Sequence, residues 1–405
     1  MANALCIALK PQKPAFCIAL LVPACPTCNA GCSRLYRCLE SGNTSLSASV
    51  IGNEDDMAIT RKENYMRLGR GEMPEYVPSW SMGMRRPESP IWSVAPSVMG
   101  APMFGPPPSD EKSDERREFT DDWGITRTAV DEVGGAALPK PGNFLITDIT
   151  KWDQVVKWPA YPAEFNTVDW EAMAKEDMKD IDRNEYGVVT MGGFGPFQSF
   201  INFIGFTEGL CALLEEPESV KEMLHFICDY YMPIMEKTVQ YYDPDIVYLL
   251  DDTASKYAPF FSVEVYKDIF KPIYTRLAQP ALDRGIPIQF HNCGKCDDFI
   301  PDMLDFGVKF WDPAQQENDL LQVKKDYAGQ LVIVGGFDFV PPADRDATEE
   351  EVREYVRSVL DKYAPGGGYA FAGGMLGPAS EQEKTMQYNS WVQDEVATYG
   401  KTFYK

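Results

Sequence analysis

Histidine is almost missing from this chain: 405 residues hold two, His225 and His291. Any imidazole chemistry must pass through one of them. Positive charge is also scarce, with 38 Lys and Arg against 61 Asp and Glu and a formal net charge of -23. So acidic a surface repels phosphate backbones and anionic headgroups, and no Lys/Arg-rich run offers a local exception. Nucleic acid and a membrane face are therefore excluded as main partners. Phosphate-loop signatures are lacking too: Gly192-Gly193-Phe194-Gly195-Pro196 has neither the GxGxxG spacing nor the Gly-Lys-Ser/Thr ending of a nucleotide cradle. What the chain does have is 44% hydrophobic and 12% aromatic residues, enough apolar surface to exclude disorder.

The ten cysteines divide the chain unevenly. Six fall in the first 38 residues, and only Cys211, Cys228, Cys293 and Cys296 follow. The four basic and four acidic residues of 1–56 cancel, so 57–405 carry the whole negative charge. Lys10 and Lys13 before the apolar run 15–22 resemble a short signal peptide, but Pro23 spoils its cleavage site. Cys25, Cys28 and Cys32 offer one CxxC with no second pair or spaced histidine, a weak metal signal. No amphipathic period runs through 22–56. We expect 1–56 to be a flexible or non-native cysteine-rich extension, and 57–405 to be the working domain.

Along that domain, short apolar runs alternate with helical patterns. The strands expected are 187–193, 245–251, 286–292, 308–312, 331–337 and 369–373, each bounded by Gly, Pro or Asp, as strands buried on both faces are. Between them, 217–242 repeats apolar residues at three- and four-residue spacing behind Pro217, Thr348 with Glu351 forms a capping box, and a last helix covers about 380–399. Strand followed by helix, repeated, requires parallel strands with helical crossovers, in a barrel or a doubly wound sheet. The proline-rich, charged stretch 85–165 is expected to be a long loop excursion.

Few residues can carry chemistry. His225 lies among apolar neighbours inside the 217–242 helix and is expected to pack. His291 closes a strand in Phe290-His291-Asn292-Cys293-Gly294-Lys295-Cys296, and alternation sends His291 and Cys293 to one side of the strand end. Imidazole and thiolate two residues apart chelate a borderline-soft ion such as Zn²⁺. A third ligand could come from Cys296, Asp251, Asp252, Glu317 or a residue near Met375. Asp251 and Asp252 end another strand and point opposite ways, one to the mouth and one to cap the next turn. The glycines around Gly193 and Phe194 let backbone approach a ligand, and Asp338 adds a carboxylate at a further strand end. Phe194, Phe197, Tyr257, Trp311 and Phe337 are candidates to line a pocket.

Taken in order, GGFGPF, EEPESV, DIVYLLDD, the 262–273 segment, HNCG and GGFD, preceded by the 61–72 helix and Val77-Pro78-Ser79-Trp80, make the chain similar to the uroporphyrinogen decarboxylase-like superfamily. The resemblance covers nearly all of 57–405. It implies an α/β fold, a (β/α)8 barrel with an N-terminal insertion, whose site opens at the C-terminal ends of the strands. Decarboxylases of the family carry an arginine-rich RQAGRYMPEY stretch and a histidine near the last strand. Here Arg85 and Arg86 alone remain as anion contacts, and Ala372-Gly373-Gly374-Met375 replaces the histidine region.

The corrinoid-dependent methyltransferase branch resembles this chain more closely at His291-x-Cys293, where its members bind zinc with a later Cys that would fall near Met375. The resemblance implies transfer of a methyl group between a small methylated compound and a cobalamin-type corrinoid, borne by a partner protein. His291, Cys293 and Cys296 are the expected metal ligands, Asp252 and Asp251 the catalytic carboxylates, and Gly193, Phe194 and Asp338 the cofactor contacts. A cytoplasmic setting is expected and a homodimer is left open. The alternatives are a uroporphyrinogen decarboxylase-type lyase and a non-catalytic barrel that binds a corrinoid or tetrapyrrole.

Overall fold

The computed structural model describes residues 59–82, 86, 88–99, 118–130 and 136–404. The extension 1–56, with its six cysteines, and Arg85 lie outside the described residues.

Runs of β-branched and aromatic residues build eight strands of one sheet: β1 (Ser79–Trp80), β2 (Ile91–Ser93), β6 (Gly187–Met191), β7 (Ile246–Asp251), β8 (Ile288–Asn292), β9 (Val308–Ala314), β10 (Val332–Gly336) and β11 (Tyr369–Ala372). β3 (Glu118–Thr120), β4 (Thr126–Val130) and β5 (Ala136–Pro139) form a second sheet. The spatial order is β1-β11-β10-β9-β8-β7-β6-β2, and every recorded pairing is parallel. The sheet curls into a nearly closed barrel of the (β/α)8 type. At the seam, the Ser81 and Ser89 hydroxyls hydrogen-bond at 3.0 Å.

Because side chains alternate, each strand feeds two cores. Val189, Ile246, Tyr248, Phe310, Val332, Val334 and Ala370 fill the lumen, together with Tyr65 and Leu68 of the helix Arg61–Gly69. That helix plugs the end where the strands begin, with Tyr65 stacked on Phe310 at 5.0 Å. Val247, Leu249, Ile288 and Phe290 point the other way, into the helical shell.

The helices expected from periodicity are present. Pro217–Tyr242 buries Val220, Met223, Leu224, Ile227, Tyr231, Met235, Val239 and Tyr242. Thr348 caps Glu349–Tyr363 reciprocally with Glu351, and Arg353 and Arg357 of that helix reach Glu395 of Gln382–Thr402 at 3.0 and 2.9 Å. No single helix among the described residues is long and apolar enough to cross a membrane.

The expectation of a long loop over 85–165 needs correction. The described part of it contains barrel strand β2 and an antiparallel sheet of β3 (Glu118–Thr120), β4 (Thr126–Val130) and β5 (Ala136–Pro139). Strands of three to five residues are too short to show alternation through proline-rich sequence. The small sheet is fixed by a buried Arg127–Asp121 ion pair at 2.7 Å and by Trp123, which packs on Tyr230 and Tyr231 of the long helix.

Candidate metal centre

At the C-terminal end of β7 the alternation separates the two adjacent aspartates. Asp251 points outward into the shell, where it accepts from the backbone N–H groups of Phe197 (2.7 Å), Gln198 (2.9 Å) and Asp252 (3.0 Å) and from the Tyr274 hydroxyl (2.6 Å). It thus anchors the first turn of the helix Pro196–Ile204. Burial pushes its pKa up to about 6 even against these four donors. Asp251 therefore serves the fold, and its expected place among the catalytic carboxylates is not where its side chain lies.

Asp252 turns inward. Its Oδ1 lies 3.7 Å from His291 Nε2, and His291 Nε2 lies 3.4 Å from Cys293 Sγ. All three donor atoms fall within 4.8 Å of one another, and all three residues are buried. Burial raises the Asp252 carboxyl, while His291 and the thiol and backbone N–H of Cys293 pull it back down. The backbone N–H of Cys293 donates to Oδ1 at 3.2 Å, and the Gln198 side-chain amide holds Oδ2 at 3.3 Å. Gly294, at a φ of 85°, lets the chain turn directly after Cys293. A Cβ there would stand 2.5 Å from the Ala254 carbonyl oxygen.

This donor set fits zinc. Tetrahedral zinc with bonds near 2.0–2.3 Å places its ligand atoms about 3.3–3.6 Å apart, close to the 3.4 Å between thiol and imidazole and the 3.7 Å between imidazole and carboxylate. One soft, one borderline and one hard donor suit a borderline ion, and three protein ligands leave the fourth position open, as catalytic sites do.

Cys296 does not join them. It is fully buried, its thiol donates to the Asn292 carbonyl oxygen at 3.4 Å, and burial holds its pKa well above the ordinary thiol range. The turn at Gly294 and the short helix that begins at Asp297 carry it away from the lumen. Met375 is buried too, with its backbone bonded on both sides to the Asn389 amide. Glu317 pairs with Lys256 at 3.6 Å and lines a cleft of about 370 Å³ with Asn318, Leu320, Lys362 and Tyr363.

The expected cofactor contacts are dispersed. Gly193 and Phe194 face the long helix: Phe194 stacks on Tyr231 at 5.0 Å, and a Cβ on Gly193 would lie 3.2 Å from Tyr231. Asp338 is exposed, its carboxyl raised by partial desolvation and by Glu317. Phe197 joins Phe260, Phe261 and Phe270, Trp311 bonds the Asn292 carbonyl from the shell side, and Phe337 packs on Phe371 and Tyr355. Phe194, Phe197 and Trp311 are buried in the core, and Phe337 is partly buried against it. Tyr257 is 83% exposed.

Behind His291 lies a polar chain that motif reading missed. The Tyr248 hydroxyl is 2.9 Å from His291 Nδ1 and 3.0 and 3.1 Å from the two oxygens of Asp312. The Gln289 amide donates to Asp312 at 3.0 Å and accepts from the Tyr65 hydroxyl at 2.9 Å. Burial, then the charge of Asp312, hold the Tyr248 phenol well above its ordinary range. Tyr248, Gln289, His291 and Asp312 are all inward positions of β7, β8 and β9, so the signal available was strand alternation combined with register.

Comparison with known proteins places the chain among relatives. The family model described as uroporphyrinogen decarboxylase (URO-D) matches residues 176–388, more than half of the chain. A methyltransferase from Methanosarcina mazei is similar in structure with a TM-score of 0.49 and 13% identity, over 84% of this chain and 100% of that one. No curated protein matches in sequence.

Proposed function

The chain belongs to the uroporphyrinogen decarboxylase family, and from that premise we propose that it is a metal-assisted methyltransferase, moving a methyl group between a small methylated compound and a corrinoid held by a partner protein. The observation that carries this reading is the buried cluster of Asp252, His291 and Cys293 at the barrel mouth. Family chemistry of the decarboxylase kind calls for guanidinium groups around a polyanion, and the arginine-rich stretch for that role is absent from this sequence.

The three side chains would hold zinc, and the chemistry such an ion supplies is Lewis-acid polarisation of a thiol or an ether oxygen beside the methyl group being moved. The protein's own contribution is charge and order. The Cys293 thiolate and the Asp252 carboxylate together neutralise a dication, so a net-neutral site can stay buried in an apolar barrel. Gln198 and the Cys293 N–H fix the carboxylate in place before any substrate arrives. Burial of all three ligands excludes bulk water from the methyl-transfer position. A reduced Cys293 is required, which suits a cytoplasmic setting, and no disulfide joins the cysteines among the described residues.

The test has two parts. Zinc content is measured in the purified protein and in Asp252→Ala, His291→Ala and Cys293→Ala, with one ion expected in the parent and loss in all three. Spectra of cobalt(I) corrinoid mixed with protein and methylated thiols, amines or methoxylated aromatics should then show methyl–cobalt formation. Release of carbon dioxide from uroporphyrinogen without corrinoid would overturn the proposal.

A further inference from the structure

The polar chain behind the metal cluster contains one ambiguity, the position of a single imidazole proton, and its geometry resolves it. An ionised carboxylate only accepts hydrogen bonds, whereas a phenol donates once and also accepts. Asp312 is 2% exposed and receives the Gln289 amide at 3.0 Å, so its two oxygens are already oriented. Tyr248 stands at 3.0 and 3.1 Å from those oxygens and at 2.9 Å from His291 Nδ1, with one proton to give. The phenol stands against both carboxylate oxygens, one of which already accepts the Gln289 amide, so the proton goes to that two-oxygen acceptor in preference to a ring nitrogen with a single lone pair. The phenol oxygen is then left as an acceptor facing Nδ1, and Asp312 Oδ1 faces the same nitrogen at 3.4 Å. Two acceptors against one nitrogen require a proton on it.

The competing carboxylate is weaker. Asp252 Oδ1 stands 3.7 Å from Nε2, beyond hydrogen-bond reach, and is engaged by the Cys293 N–H.

We propose that Asp312 and Tyr248 are positioning residues that hold His291 in its Nδ1–H tautomer, so that the Nε2 lone pair is directed at Asp252 and Cys293 before any metal binds. Gln289 and Tyr65 extend the same hydrogen-bond chain to the plug helix, which ties the imidazole to the closed end of the barrel. The value of this arrangement for metal binding rests on the proposed function; the tautomer itself does not. Pre-ordering the ring in this way is worth about 10–100-fold in metal affinity.

The shortage of histidine makes the test direct. Protein labelled with ¹⁵N at the histidine ring nitrogens contains two imidazoles, and His225→Gln assigns them. Arg276 donates to His225 Nδ1 at 3.0 Å, so His225 must leave Nδ1 bare and serves as an internal reference of opposite tautomer. In the metal-free protein at mildly alkaline pH, His291 should show a protonated Nδ1 and a bare Nε2. Asp312→Asn turns an amide N–H toward the Tyr248 oxygen and sends the phenol proton to Nδ1; the pattern at His291 should invert and zinc affinity fall about 10–100-fold with an unchanged circular dichroism spectrum. Tyr248→Phe leaves Asp312 as the remaining acceptor and should keep Nδ1 protonated, which tests the idea even if Asp312→Asn does not fold. A bare Nδ1 or a protonated Nε2 in the parent protein, an uninverted pattern in folded Asp312→Asn, or loss of the Nδ1 proton in Tyr248→Phe would each overturn the inference. If the tautomer is as stated and the parent binds no zinc, the proposed function fails and the positioning stands.

Discussion

Replacing Asp251 and Asp252 one at a time should separate folding from chemistry across a single peptide bond. Asp251→Ala removes the acceptor for three backbone N–H groups and the Tyr274 hydroxyl, all inside the shell. At about 2 kcal/mol for each buried donor left unpaired, the loss is roughly 8 kcal/mol. About 3 kcal/mol of that is recovered, because a carboxyl raised from 3.8 to about 6 is costly to keep ionised in place. A net destabilisation of about 5 kcal/mol remains, in the range found for breaking a buried ionic contact. Asp252→Ala removes two longer bonds, at 3.2 and 3.3 Å, and should cost about 1–2 kcal/mol. Urea unfolding followed by tryptophan fluorescence reads stability, and a competing chelator reads zinc affinity in the folded protein. Asp251→Ala should unfold more than about 1 M earlier yet keep its zinc, whereas Asp252→Ala should unfold near the parent and bind zinc at least about 100-fold more weakly. Equal stability in both variants, or equal zinc loss in both, would refute the division of roles.

Cys296→Ala should retain full zinc content, since its thiol bonds the Asn292 carbonyl; metal analysis checks this, and loss of the ion would return Cys296 to the ligand set. Gly294→Ala should destabilise by about 3 kcal/mol or more, because φ is 85° and the new Cβ would meet backbone oxygens of Ala254 and Ser255 at 2.5 and 2.7 Å; an unfolding midpoint within error of the parent would contradict that. Lys324 donates to the Tyr363 and Pro365 carbonyls, and burial lowers its pKa from 10.5 to about 8. The unfolded chain therefore binds more protons between these values, and this group's stability contribution is present above 10.5 and lost as pH falls through about 8. Relative to Lys324→Met, the parent should gain about 1 kcal/mol across that window, a figure discounted for solvent screening; a constant difference would refute it.

Much of this protein is legible in one dimension. The buried strands announce themselves as short apolar runs because both of their faces are covered, and the long helix shows its buried stripe in its spacing. Alternation alone assigned His291 and Cys293 to one side and set Asp251 against Asp252. It could not say which aspartate faced the mouth, because that depends on which face of β7 the neighbouring strands enclose.

Residue order alone pointed to parallel strands with helical crossovers and to an imidazole paired with a thiol at one strand end, and the resemblance to a family chose the barrel. Folding brings Asp252, one residue past β7, within reach of that pair where Cys296 was expected, and it joins Tyr65, Tyr248, Gln289 and Asp312 behind the ring. The reason is the parallel register. His291 is level with Leu250 on one side and Asp312 on the other, so groups tens of residues apart meet through hydrogen-bonded neighbours, whereas Cys296, five residues from His291, is turned out of the lumen by the bend at Gly294.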